Sequence, residues 1–213
     1  MEKYELIDIQ RLDRADYFHY FMSVGTTIEF TAKVDITEVL KKCKKETLNF
    51  QAAMLYRLYK AINKIENFKY DLFNDKLIIW NKIVPTFSSI NQNSKLFFTL
   101  YAEMQECCDD YHVQYKEIAD KYANSTTMVP QGELPANVFH VSCIPWLHFE
   151  HFSSNSKSME NKIVKMITLG KYEPVDNRYI LPVTIQASHA IVDGYHVALF
   201  FEKLQEELNV GSY

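Results

Sequence analysis

Apolar and polar positions follow a period of two in some stretches of this chain and a spacing of three to four in others. The two patterns interleave along its whole length. Residues 26–34 predict a strand, with Ile28, Phe30 and Ala32 on one face and Glu29, Thr31 and Lys33 on the other. Residues 4–9, 76–80, 84–90, 96–101 and 138–144 also read as strands, the last stopped by Pro145. Residues 163–172 and 178–188 are strand-like runs around Glu173-Pro174-Val175-Asp176-Asn177, a turn composition, and predict a hairpin. The helical spacing is clearest over residues 50–65, where Ala52, Leu55, Tyr59 and Ile62 form one stripe. It recurs over residues 14–21, over 38–45 after the capping segment Asp35-Ile36-Thr37, and over 103–122. A final helix starts near Asp193, with Val197, Phe200, Phe201, Leu204 and Leu208 inward. Strands and helices mix without strict alternation. The fold expected is an α/β, two-layer sandwich with a mixed β-sheet and packed helices.

No internal repeat or low-complexity linker divides the chain, so residues 1–213 read as a single domain. Four cysteines (Cys43, Cys107, Cys108 and Cys143) match no zinc framework, and the histidines are not at ligand spacing with acids, so no metal site is expected. The formal net charge of -4 argues against nucleic acid as a partner. The one dense basic run, Lys41-Lys42-Cys43-Lys44-Lys45, reads as a solvated helix face. No apolar window approaches the length of a membrane span, and no secretory leader is read at the N-terminus. A cytoplasmic protein with no membrane partner is the expectation.

The chemistry concentrates in Gln186-Ala187-Ser188-His189-Ala190-Ile191-Val192-Asp193-Gly194. This segment sits where a buried strand ends and a helix begins, a place where a side chain is held rigidly yet reaches a pocket. An imidazole near neutral pKa can take a proton from a hydroxyl and return it, which makes His189 the candidate base. Asp193 is placed to cap the following helix, and Gly194 to allow a tight turn or a close neighbour. The pattern His-x-x-x-Asp-Gly is weak by itself. Further blocks accompany it in order: Arg14-Ala15-Asp16-Tyr17-Phe18, Lys33-Val34-Asp35-Ile36-Thr37, Leu77-Ile78-Ile79-Trp80, Val141-Ser142-Cys143-Ile144-Pro145-Trp146 and Ile167-Thr168-Leu169-Gly170-Lys171-Tyr172.

Together these blocks resemble the type A chloramphenicol acetyltransferases, members of the CoA-dependent acyltransferase superfamily, over residues 14–208. The dihydrolipoyl acyltransferase catalytic domains share the same histidine core. The resemblance implies a CoA-dependent acyltransferase-like fold, acetyl-CoA as co-substrate without a metal or prosthetic group, and O-acetylation of chloramphenicol, an antibiotic-resistance activity. It implies His189 as general base and Ser142 as hydrogen-bond donor to the tetrahedral oxyanion. Asp193 would pair with Arg14 to hold the histidine loop. The acceptor would meet Phe97, Thr168, Val129, Ser154 and Ser156, and CoA would meet Trp146 and Tyr172. A homotrimer with sites between subunits is implied as well.

This sequence departs from the family pattern at the acceptor wall. Val129 stands where the family has phenylalanine, Ser154 and Ser156 where it has apolar residues, and Ser188 where it has a second histidine. Three readings follow: acetylation of chloramphenicol, acetylation of another small hydroxylated or amine acceptor, or a non-catalytic ligand-binding relative.

Overall fold

A computed structural model describes residues 3–154 and 162–209 of the chain. Its strands are β1 (Tyr4–Leu6), β2 (Thr27–Asp35), β3 (Tyr70–Phe73), β4 (Lys76–Trp80), β5 (Val84–Ile90), β6 (Phe97–Tyr101), β7 (Val138–Cys143), β8 (Lys165–Leu169), β9 (Glu173–Val175) and β10 (Arg178–Ser188). Its helices are α1 (Ala15–Val24), α2 (Thr37–Glu46), α3 (Phe50–Ile62), α4 (Cys108–Tyr122) and α5 (Gly194–Asn209). The main sheet runs β2-β10-β8-β7-β5-β6, with β9 beside the start of β10. β7 is parallel to both β5 and β8, and the other pairs are antiparallel, so the sheet is mixed as expected. A separate three-stranded sheet runs β1-β4-β3.

Register assigns the two faces of the main sheet. One cross-strand row is apolar: Leu100, Phe87, Val141, Ile167, Ile185 and Phe30. All but Phe30, on the edge strand β2, are buried. α3 reaches β5, α5 reaches β2, and α3 and α5 lie side by side. The opposite face is polar. Thr31, Thr184, Thr168 and Ser142 form one row, and Glu29, Gln186, Met166, His140, Thr86 and Tyr101 form the next. Such a patterned sheet buries one face against helices and keeps the other for a different purpose.

Several sequence expectations shift. The helix expected over residues 103–122 starts only at Cys108, because the Cys107 backbone is extended and its sulfur accepts from the Asp110 amide as a cap. The 163–172 strand contracts to Lys165–Leu169. The hairpin closes between β9 and β10, with Asp176 left-handed at φ 53°. Gly170 is required sterically: a Cβ there would lie 2.7 Å from both the Phe149 ring and Pro182. Gly194 is not required in this way, since its φ is ordinary and a Cβ would meet only the Phe30 ring, at 4.0 Å. The N-cap of α2 is Ile36, and Asp35, one residue before it, accepts from the Thr37 amide at 2.9 Å, so the expected capping segment does supply an acceptor to the first turn. Among the described residues no helix is long and apolar enough to cross a membrane.

Candidate active site

β10 is the longest strand of the main sheet and is buried over most of its length, as its Val- and Ile-rich sequence dictates. It ends at Ser188, and His189 is the first residue of the turn that follows. The His189 amide donates to the Thr26 carbonyl at 2.9 Å, which extends the ladder by one residue and fixes the backbone of the histidine. The imidazole stacks on Phe21 of α1, with centroids 3.8 Å apart and planes 21° apart. Nδ1 lies 2.8 Å from the Val192 carbonyl oxygen. A carbonyl only accepts, so in the neutral ring Nδ1 carries the proton and Nε2 keeps its lone pair. That tautomer is the one a proton-abstracting imidazole needs.

Arg14 holds the loop from behind. Its Nε donates to the Ala190 carbonyl and one Nη to the His189 carbonyl, both at 3.0 Å, while the other Nη lies 3.4 Å from the Asp193 carboxylate. The pairing expected of Arg14 and Asp193 is therefore present, though Asp193 is the more open partner, at 43% side-chain exposure against 16%. Asp193 also accepts from the Tyr195 amide and caps α5. Partial burial disfavours its charge, but His196, the Tyr195 amide and Arg14 together outweigh this and hold the carboxyl below its ordinary range. Asn67, just before β3, donates to the Ile191 carbonyl at 2.9 Å. Ser188 accepts from the Val164 amide at 2.8 Å and returns its own amide to the Val164 carbonyl at 3.1 Å, locking the lead-in of β8 to the end of β10.

Ser142 and Thr168 face each other in the β7–β8 register, and Thr168 faces Thr184 of β10. Ser142 and Thr168 are thus brought together on the polar sheet face. His189 of the same chain does not join them. It stands five residues beyond Thr184 and two strands away from Ser142, roughly 16 Å along the strands and about 10 Å across them. Phe97 is exposed on the outer strand β6, and the loop bearing Val129 runs along that edge, where Gln131 bonds both the amide and the carbonyl of Tyr101. Ser154 lies over the far side of the face, its carbonyl 2.7 Å from Gln186 Nε2. Ser156 lies outside the described residues.

The segments of Trp146 and Tyr172 are joined by the Lys171 amide donating to the Leu147 carbonyl at 2.8 Å. Trp146 is 67% exposed, and Tyr172 makes edge contacts with Phe50 and Tyr179. Both aromatics are on the surface rather than in the core. Among the described residues no group of His, Cys, Asp or Glu side chains is arranged to hold a metal ion.

The sequence pattern of the chloramphenicol acetyltransferase family matches residues 2–205, nearly the whole chain. The chain belongs to the chloramphenicol acetyltransferase family. It is 33% identical over 208 residues to a chloramphenicol acetyltransferase of Clostridium perfringens, covering 97% of this chain and 99% of that one. It is 29% identical over 207 residues to chloramphenicol acetyltransferase 3 of Escherichia coli, with 97% of each covered. Among solved structures, a chloramphenicol acetyltransferase superposes with a TM-score of 0.84 at 21% identity, over 97% of this chain and 100% of that chain. A probable dihydrolipoamide acetyltransferase of Listeria monocytogenes superposes at 0.66 and 14% identity, over 99% of this chain and 96% of that one. Membership in a family of acetyl-transferring enzymes establishes the chain as an enzyme, and these superpositions confirm the acyltransferase-like fold.

Sequence reasoning missed several groups that hold this site. The Phe21 stack, Asn67 and the Val192 carbonyl act through folding of distant segments, and no spacing rule announces them. Ser188 was noted only as a departure from the family, yet its hydroxyl is the partner that the Val164 amide needs.

Proposed function

We propose that this enzyme moves the acetyl group of acetyl-CoA to a hydroxyl of chloramphenicol as a single catalytic domain of residues 1–213. The observation that carries the mechanism is the Nδ1 contact with the Val192 carbonyl, which leaves His189 Nε2 free to act as base. Nε2 takes the hydroxyl proton as the oxygen attacks the thioester carbonyl. The Ser142 hydroxyl donates to the oxyanion that forms. Collapse breaks the carbon–sulfur bond, and the imidazolium returns the proton to the departing thiolate, releasing CoA and the acetyl ester. Arg14 and Asp193 keep the loop in register. Thr168, Phe97, Val129 and Ser154 line the acceptor side, and Trp146 with Tyr172 guides the acyl carrier.

The separation of Ser142 from His189 within one chain supports a homotrimer, in which the histidine of one subunit meets the acceptor face of its neighbour. A second acceptor class is favoured by one feature. Gln186 bonds both Glu29 and Ser154 on the acceptor face, a more polar wall than the nitrophenyl ring of chloramphenicol requires.

Mass spectrometry of the drug after incubation with enzyme and acetyl-CoA tests the proposal. A product heavier by one acetyl group is expected. Unmodified drug, together with an acetylated product from a panel of other alcohols and amines, would move the reading to the second class.

A further inference from the structure

His140 stands in the middle of the proposed acceptor face, although its sequence context gave no reason to place it there. It is two residues before Ser142 on β7, so both side chains emerge on the same side of the sheet. In register it sits between Thr86 of β5 and Met166 of β8, one step along the strands from the pair Ser142 and Thr168. The residue is open to solvent in the single chain.

One side of the imidazole is committed. Its Nδ1 lies 2.9 Å from the Thr86 hydroxyl. Thr86 is buried, and among the described residues its hydroxyl has this nitrogen as its hydrogen-bond partner. If Nδ1 carried the proton, the buried hydroxyl would keep an unused hydrogen, a costly arrangement. If Thr86 donates instead, both groups are satisfied, and the neutral ring must carry its proton on Nε2. Burial of the ring's inner side, helped by the Lys165 ammonium, holds the imidazole below its ordinary range and so keeps it neutral near pH 7.

We infer that His140 is a specificity-determining residue: its Nε2–H donates a hydrogen bond to an uncharged oxygen of the acceptor substrate. This rests on the reading that the acceptor lies across the Ser142–Thr168 face. A donor fixed in this way favours a hydroxyl, carbonyl or nitro oxygen and opposes an ammonium group, which would bring donor against donor. Among the candidate acceptors, it therefore selects oxygen-rich neutral molecules over cationic amines.

The test compares steady-state kinetics of the wild type, His140→Leu and His140→Asn with chloramphenicol and acetyl-CoA, alongside direct calorimetric binding of the drug. His140→Leu is expected to raise KM and the dissociation constant for the drug by about ten- to a hundredfold, with the KM for acetyl-CoA within about twofold of wild type. His140→Asn, which keeps an N–H donor, is expected to recover most of that loss. A drug KM unchanged in His140→Leu would overturn the assignment and leave the proposed reaction standing. Equal losses for both substrates, without rescue by asparagine, would mark a merely structural residue and overturn it as well. A wild type that neither binds nor acetylates the drug would remove the proposed function and the inference together.

Discussion

At the scale of single residues, the site depends on small groups that hold a histidine ring by three sides: a carbonyl at Nδ1, an aromatic face and a gripped backbone. Asp193 belongs to the grip. Its folded carboxyl sits below its ordinary range, so the ionised form favours the folded state. The sign follows from linkage: this contribution is present in full above the ordinary aspartate pKa of about 3.9 and is lost as pH falls through the lower folded value. Asp193→Asn should therefore unfold at lower denaturant than wild type at pH 7, and the gap should shrink as pH drops below about 4. A gap that is constant across that range would show that charge is not what Asp193 supplies. His189, Asp193, Arg14 and Ser142 can be singled out in the sequence because an ordered set of short blocks names them. His140 and Phe21 cannot, because their positions follow from register and from a helix folding back over a strand end.

At the scale of elements, the three-stranded sheet is a brace for the histidine loop. Asn67, immediately before β3, reaches the loop directly. A buried ion pair ties the same sheet to β8: Lys165 Nζ lies 2.7 Å from Asp71 Oδ2 and donates to the Tyr70 carbonyl at 3.0 Å. The indole N–H of Trp80 donates to the same carboxylate at 3.2 Å. The two side chains are 2% and 16% exposed. Removing one partner leaves the other charge buried. Lys165→Met is expected to cost about 3–5 kcal/mol in denaturant unfolding, and adding Asp71→Leu should return most of it. A single variant as stable as wild type would show that the pair carries no strain on removal. Most strands were legible from alternation and their turns. β3 was not, because Tyr70-Asp71-Leu72-Phe73 is only four residues long and its adjacent Leu72 and Phe73 break the alternation. The start of α4 was not legible either, since residues 103–107 share the helix's composition.

At the scale of the whole molecule, the mixed sheet with one helical face was legible because strands and helices interleave without regular alternation. The expectation of a site shared between copies comes from the sequence only through the family resemblance. The structure adds a physical argument, since one chain keeps Ser142 and His189 apart. Subunit mixing tests it. His189→Ala and Ser142→Ala proteins, each nearly inactive alone, should regain about a quarter of wild-type activity when unfolded and reassembled in equal amounts, because random neighbours then complete some sites. No recovery from properly reassembled mixtures would place both residues in one chain's site.

The central claim is acetyl transfer to chloramphenicol with His189 as base. Its most direct test is release of free thiol from acetyl-CoA by purified protein, with and without the drug, beside His189→Ala. Drug-dependent release by the wild type is expected, with a loss of about 10²–10⁴-fold in the variant and the fold intact by circular dichroism. Equal release by both proteins, or none from folded wild type, would contradict the claim.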